Sequence, residues 1–212
     1  MKTIILFNNR QEAGSYLTNL IQKSGIQPDL VLSLPRGGTI VAAEIARILN
    51  LEHDLIIVRK IGAPYDPEVA IGAITQQGKF ISNEKIIDAL NISRDYIETQ
   101  CQLELKEIHR RLINLRGKRP FTELKSKSVL IVDDGLATGY TMEAAILSIK
   151  DQHPKKIYIA VPVAPPEVVQ RLNPLVDQLI CPQTPENFTS VSNYYEDFHQ
   201  INDDELQKIL LK

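Results

Sequence analysis

The residues best placed to do chemistry lie in one run, Val129 to Thr141, which reads VLIVDDGLATGYT. An apolar stretch of strand type delivers two adjacent acids, Asp133 and Asp134. A loop of small residues, Gly135 to Tyr140, follows, and a helix is expected to open near Thr141. Glycine and alanine let backbone N–H groups come close to a ligand. A helix start adds unpaired N–H donors and a partial positive charge, which suits a phosphate. Thr138 and Thr141 add hydroxyl donors. Two acids beside a phosphate cradle repel the phosphate unless they face sugar hydroxyls or a bound Mg²⁺. The run therefore asks for a ligand carrying both a phosphate and a diol. Taken alone, Asp-Asp-Gly is more often a turn. The agreement of strand, acid pair and threonine-rich loop carries the functional reading. The two familiar phosphate signatures, G-x-x-x-x-G-K-[ST] and G-x-G-x-x-G, are absent.

Other polar residues follow apolar runs in the same way. Pro35-Arg36-Gly37-Gly38 comes after LVLSL (Leu30 to Leu34). In isolation it is a plain turn with a solvated arginine, but it stands where a ligand would sit. Arg59 and Lys60 follow a second strand, Leu55 to Val58. Contact with an anion and simple exposure are equally open for them. Residues 59–71 carry Gly62, Pro64 and Pro67 and exceed the usual connection length, which favours a lid over an ordinary loop. Tyr194 and Tyr195 could stack on a ring, and core or hinge packing fits them as well.

These residues need a scaffold, and periodicity supplies one. Helices are expected at 11–24, 39–49, 93–116, about 141–151, 166–173 and 203–211. Apolar strands are expected at Leu30 to Leu34, Leu55 to Val58, Val129 to Val132, Ile157 to Val161 and 177–181. A hairpin around Gln77-Gly78 would join Gly72 to Gln76 with Phe80 to Ser82. The long helix is opened by Ser93 and closed by Gly117. Its Arg94, Lys106, Arg110, Arg111 and Arg116 read as a solvated face or dimer contact, with His109 exposed rather than catalytic. Apolar strands alternating with helices indicate a parallel α/β sheet covered on both faces. In such sheets ligands bind beyond the carboxyl ends of the strands.

Length and composition narrow the class. The chain has 212 residues, enough for one domain with its own core. Formal net charge is −2, which argues against a sequence-independent grip on nucleic acid. Trp is absent and aromatics are 6%, so a stacking-rich single-strand binder is not expected. Cys101 and Cys181 are isolated and the four histidines scattered, so no zinc pattern or disulfide framework is read. The first ten residues lack a signal-peptide pattern, and no apolar run is long enough to span a bilayer. A soluble cytoplasmic protein without membrane contact is expected.

VLIVDDGLATGYT closely resembles the phosphoribosyl pyrophosphate (PRPP) motif of type I phosphoribosyltransferases: an apolar strand, two acids, two variable residues, then a small-Thr-Gly-x-Thr loop. LPRGG (Leu34 to Gly38) is similar to that family's pyrophosphate loop. VRKIGAP (Val58 to Pro64), the run to Ala73, AVPVAPPE (Ala160 to Glu167) and YYEDF (Tyr194 to Phe198) resemble a bacterial subgroup of that family. The resemblance covers about residues 1–205. It implies one domain over 1–212, with a core at about 29–181, a small hood from 1–28 and 182–200, and a flexible lid around 61–75. It further implies that Asp133 and Asp134 hold the ribose hydroxyls, with Gly135 beside them. Ala137, Thr138, Gly139, Tyr140 and Thr141 would bind the 5′-phosphate. Arg36 and Gly37, with Lys60, would meet pyrophosphate, and the peptide before Arg36 would be cis. Asp133, Asp134 and Arg36 are the candidate catalytic residues. Mg²⁺ would be carried mainly on PRPP and water, with Asp133 a weak ligand. A homodimer is expected from the same likeness.

The implied reaction moves ribose 5-phosphate from PRPP to a nitrogenous acceptor, a nucleobase being the expected one, and releases pyrophosphate. Purine-salvage members often carry a third acid after the two variable residues, where this chain has Ala137. That leaves the acceptor and the general base unassigned. The main alternative is a PRPP-binding regulator without turnover. A receiver-like domain is disfavoured, because its acid pair would follow the first strand rather than one past mid-chain.

Overall fold

The computed structural model describes residues 6–67, 69–117 and 120–210. The first five residues of the expected hood, position 68 of the lid run and position 211 of the last helix lie outside these.

Five strands form a parallel sheet. They are β1 (Leu30–Ser33), β2 (Glu52–Leu55), β6 (Ser128–Val132), β7 (Lys156–Ala160) and β8 (Gln178–Ile180), in the order β2-β1-β6-β7-β8. β1 and β6 are buried along their whole length, as continuous apolar strands must be when helices cover both faces. Alternation then assigns each side chain to a layer. Leu30, Leu32, Val129 and Ile131 pack with helices α5 (Tyr140–Lys150) and α6 (Pro166–Leu172). Val31, Leu130 and Val132 pack with α1 (Arg10–Ser24) and α2 (Gly37–Leu49).

The strand order positions the site. From β1 the chain crosses through α2 to β2 on one side, while β6, β7 and β8 run away on the other. β1 and β6 are hydrogen-bonded neighbours, with Ser33 opposite Val132. The sheet therefore reverses its winding between them, and their loops open into one crevice.

A second sheet departs from expectation. β3 (Val58–Gly62), β4 (Ala70–Thr75) and β5 (Phe80–Ser82) are antiparallel in that order. The hairpin around Gln77-Gly78 is present. The two ends of the run 59–71 are paired strand, and residues 63–69 connect β3 to β4. Ile61, Ile71 and Ile74 explain this: all three are buried against Ile108 of α4 (Arg94–Arg116) and against Leu206 and Leu210 of α7 (Asp203–Leu210). The second expected strand, Leu55 to Val58, splits into the end of β2 and the start of β3 for the same reason. A short helix α3 (Glu84–Ala89), capped by Asn83, has no counterpart among the expected elements; it buries no residue and so has weak periodicity.

α4 runs between the Ser93 cap and Gly117 as its sequence requires. Its basic residues are not all solvated. Arg116 is buried and donates to Asp54 at 2.7 Å, because the end of the helix turns into the core. His109 is exposed. The two chain ends meet in a further small cluster: Phe7 bridges in parallel to Tyr195 and packs with Ala13, Val163 and Tyr194. Among the described residues no helix is long and apolar enough to cross a membrane.

Candidate active site

The loops after β1 and β6 converge as the strand order demands. Asp133 and Asp134 leave the end of β6, and Asp133 Oδ1 accepts from the Asp134 backbone N–H at 2.8 Å. Beside them runs Pro35-Arg36-Gly37-Gly38, whose Pro35–Arg36 peptide bond is cis. The two loops touch so closely that side chains are excluded. A Cβ on Gly37 would lie 1.8 Å from Asp134 Oδ2, and one on Gly38 would lie 2.8 Å from Asp133 Cα. Both glycines are thus required by approach, not by turn geometry.

The loop after the acids ends at Gly139, which sits in left-handed backbone at φ 73° and opens α5 without a side-chain cap. The first N–H groups of the helix have no intrahelical acceptor. They emerge beside Ala137, Thr138, Tyr140 and Thr141, all exposed. This is a cradle of donors at a positive helix end. Arg171 of α6 braces it: the guanidinium donates to the Thr138 carbonyl, lies 4.7 Å from the Tyr140 ring centroid and pairs with Glu143 at 3.1 Å.

Burial and the neighbouring Asp134 charge push the Asp133 carboxyl well above the usual carboxylate range. Asp134 instead has a cation. Arg10, the first residue of α1, donates from Nε to Asp134 Oδ2 at 2.7 Å. The Tyr195 hydroxyl donates to the Asp134 carbonyl at 2.6 Å. Burial, and then the Asp134 charge, push the Tyr195 hydroxyl pKa up, so that group stays a donor.

The expected site residues divide into two groups. The structure brings Asp133, Asp134, Gly135, Arg36 and Gly37 to one crevice and places the 137–141 loop at the start of the adjoining helix. Arg36 is half-exposed and held by the chain's end: it donates to the Ile201 carbonyl at 3.1 Å and pairs with Asp203 at 3.3 Å. Lys60 is exposed on β3 of the small sheet, opposite Ala73. Arg59 is bound to Glu104 of α4. Tyr194 and Tyr195 are buried, and pack on Phe188, Phe7 and Phe198. Their stacking capacity is used inside the chain-end cluster. Sequence reasoning misses Arg10, Arg171 and Asp203. Each is a charged residue on a helix with no local sign of its partner, and only the fold shows what it reaches.

Comparison with known proteins agrees with this geometry. The Phosphoribosyl transferase domain family matches residues 6–199. A Mycobacterium tuberculosis protein named "Putative phosphoribosyl transferase" is 34% identical over 205 residues, covering 97% of this chain and 46% of the relative. The chain thus spans about half the length of that curated relative. The amidophosphoribosyltransferase of Escherichia coli is 29% identical over 167 residues, 78% of this chain and 26% of that protein. Among solved structures, the Thermus thermophilus protein TT1426 superposes with a TM-score of 0.87 at 36% identity, covering 98% of each chain. The parallel sheet, the acid pair at its switch point and the matched span lead to one assignment: the chain belongs to the phosphoribosyl transferase domain family.

Proposed function

We propose that this chain is an enzyme that transfers ribose 5-phosphate from PRPP to a nitrogenous acceptor, with release of pyrophosphate. The observation that carries this reading is the contact between the Gly37 loop and Asp134. It puts an arginine-bearing loop, two carboxylates and a phosphate-type helix start around one crevice.

In this reading Asp133 and Asp134 accept hydrogen bonds from the ribose 2′- and 3′-hydroxyls. The amides of Ala137 to Thr141, with the Thr138 and Thr141 hydroxyls, hold the 5′-phosphate. Arg36 neutralises negative charge as the bond from the anomeric carbon to pyrophosphate breaks and its electron pair leaves with the oxygen. The acceptor nitrogen bonds to that carbon and gives its proton to solvent. Catalysis rests on positioning and on charge placed in advance.

Mg²⁺ fits this set in one way. No group of three or more His, Cys, Asp or Glu residues able to hold a metal occurs among the described residues. Asp133, desolvated and beside a second acid, is a hard oxygen ligand suited to a cation that arrives with phosphate oxygens and water. When bound, the ion supplies charge neutralisation of the leaving pyrophosphate.

A nucleobase is the proposed acceptor, and Ala137 leaves no acid at the position purine-salvage members often use. The chain-end layer of residues 6–28 and 182–200 is the proposed hood over it. A cytoplasmic homodimer belongs to the same reading. The test is a screen of free bases for pyrophosphate release from PRPP with Mg²⁺. Release with one base supports the transferase. PRPP binding without release for any base would replace it by a PRPP-binding regulator.

A further inference from the structure

Arg10 is a charge inside the protein, with its side chain 7% exposed. A buried guanidinium is costly unless it is paired and hydrogen-bonded. Here every observed contact leads to the candidate site or to the chain end above it. Nε donates to Asp134 Oδ2 at 2.7 Å. One terminal nitrogen donates to the His199 carbonyl at 3.1 Å. The guanidinium carbon lies 3.9 Å from the Phe198 ring centroid and 6.0 Å from that of Tyr195. Tyr195 in turn donates to the Asp134 carbonyl. Asp134 is thus held by its side chain from α1 and by its backbone from the chain end.

The pair also lies against the arginine loop. A Cβ on Gly37 would meet both members, Asp134 Oδ2 at 1.8 Å and Arg10 Nε at 2.9 Å. Arg10 therefore stands where the ribose acids meet the Gly37 loop. Two consequences follow from charge and geometry. The bond fixes the rotation of the Asp134 carboxylate by one oxygen, Oδ2. It also offsets one of two adjacent negative charges that an anionic ligand must approach.

Resting on the proposed function, we infer that Arg10 is a positioning residue for the ribose site, acting through Asp134: it fixes that carboxylate by Oδ2, so that Oδ1 is presented to a ligand hydroxyl. A purely structural role would be different. Arg10 would then only clamp α1 to the chain end, and its loss would weaken all ligands together with the fold.

The two roles separate in a double-mutant cycle read with two probes. PRPP and inorganic pyrophosphate are titrated calorimetrically, with Mg²⁺, into the wild type, Arg10→Ala, Asp134→Asn and the double variant. Thermal midpoints are recorded alongside. Arg10→Ala is expected to weaken PRPP by about tenfold or more, the loss of a charge-assisted contact. Pyrophosphate affinity should fall distinctly less, since pyrophosphate feels the lost charge but engages no sugar hydroxyl at Asp134. Asp134→Asn should add little in the Arg10→Ala background, because coupled residues are not additive. Arg10→Lys keeps the charge but not the planar fork, and should recover part of the PRPP affinity. If Arg10→Ala fails to fold, Arg10→Lys is read alone: weakened PRPP with unchanged pyrophosphate supports the inference.

Parallel loss of PRPP and pyrophosphate, or independent effects that multiply in the double variant, would overturn it. Wild-type chain that does not bind PRPP would overturn both this inference and the proposed function. Wild-type binding with Arg10→Ala indistinguishable from it would overturn the inference alone.

Discussion

Two buried arginine–aspartate pairs lie in different parts of this molecule, and they share one distance. Arg116 meets Asp54 at 2.7 Å, with side chains 5% and 1% exposed. Arg10 meets Asp134 at 2.7 Å, with side chains 7% and 14% exposed. What differs is how completely each aspartate is used. Asp54 Oδ2 also accepts from the backbone N–H and hydroxyl of Thr122, both at 3.2 Å, and Oδ1 accepts from the Leu55 N–H at 2.8 Å. Its arginine reaches the Pro120 carbonyl as well. That network satisfies the carboxylate inside the fold. The Asp134 carboxylate accepts from Arg10 on one oxygen, and its other polar neighbour is the Asp133 carboxyl, whose pKa it helps to raise. Its side chain is 14% exposed and keeps acceptor capacity. A saturated carboxylate holds structure, and one with acceptor capacity left at a strand end is the proposed ligand contact.

The largest expected effect tests the structural member. Arg116→Ala leaves the Asp54 charge buried without its partner and should cost about 3–5 kcal/mol of stability, read by denaturant titration. PRPP affinity, measured well below the midpoint, should be unchanged. A stability loss under about 1 kcal/mol would show that the Thr122 and Leu55 donors suffice for Asp54. A smaller effect is expected at the neighbouring loop. Arg36→Ala should weaken inorganic pyrophosphate by about tenfold or more, and a melting scan should barely move because the side chain is half-exposed. Unchanged pyrophosphate affinity would remove Arg36 from the site. The smallest effect concerns its protein partner. Asp203→Asn releases Arg36 from an exposed ion pair worth at most about 1 kcal/mol, so pyrophosphate affinity should rise up to about fivefold. A fall instead would mean that Asp203 aims Arg36 at the ligand.

The same contrast explains what is legible in the sequence. The acids, the glycine-bearing loop and the helix start are contiguous, so their order and spacing carry the motif without any fold. The apolar strands β1 and β6 are equally plain, because both faces are buried and few polar residues interrupt them, and β7 keeps Ile157, Ile159 and Ala160 buried. The hairpin and the capped α4 follow from local turn and cap chemistry. Arg10 is different. It lies 124 residues from Asp134 and 189 from His199, and on α1 it looks like any solvated arginine. Arg36 and Ile201 are 165 residues apart. Arg116 is misread for the same reason, since a charge at the end of an exposed-looking helix gives no local sign of Asp54. The run 59–71 misleads in another way. Its glycine and prolines suggest a loop, while Ile61 and Ile71 bury themselves against α4 and α7. Turn residues mark where a chain can bend, and distant apolar partners decide whether the flanks pair.

Asp134 is the proposed contact for a ribose diol beside the phosphate cradle, and calorimetric titration of PRPP, with Mg²⁺, into the wild type and Asp134→Asn tests it. The wild type should bind, and the variant should lose about 10- to 100-fold in affinity, the range for a hydrogen bond to a charged group. Equal affinity in the two proteins would contradict it.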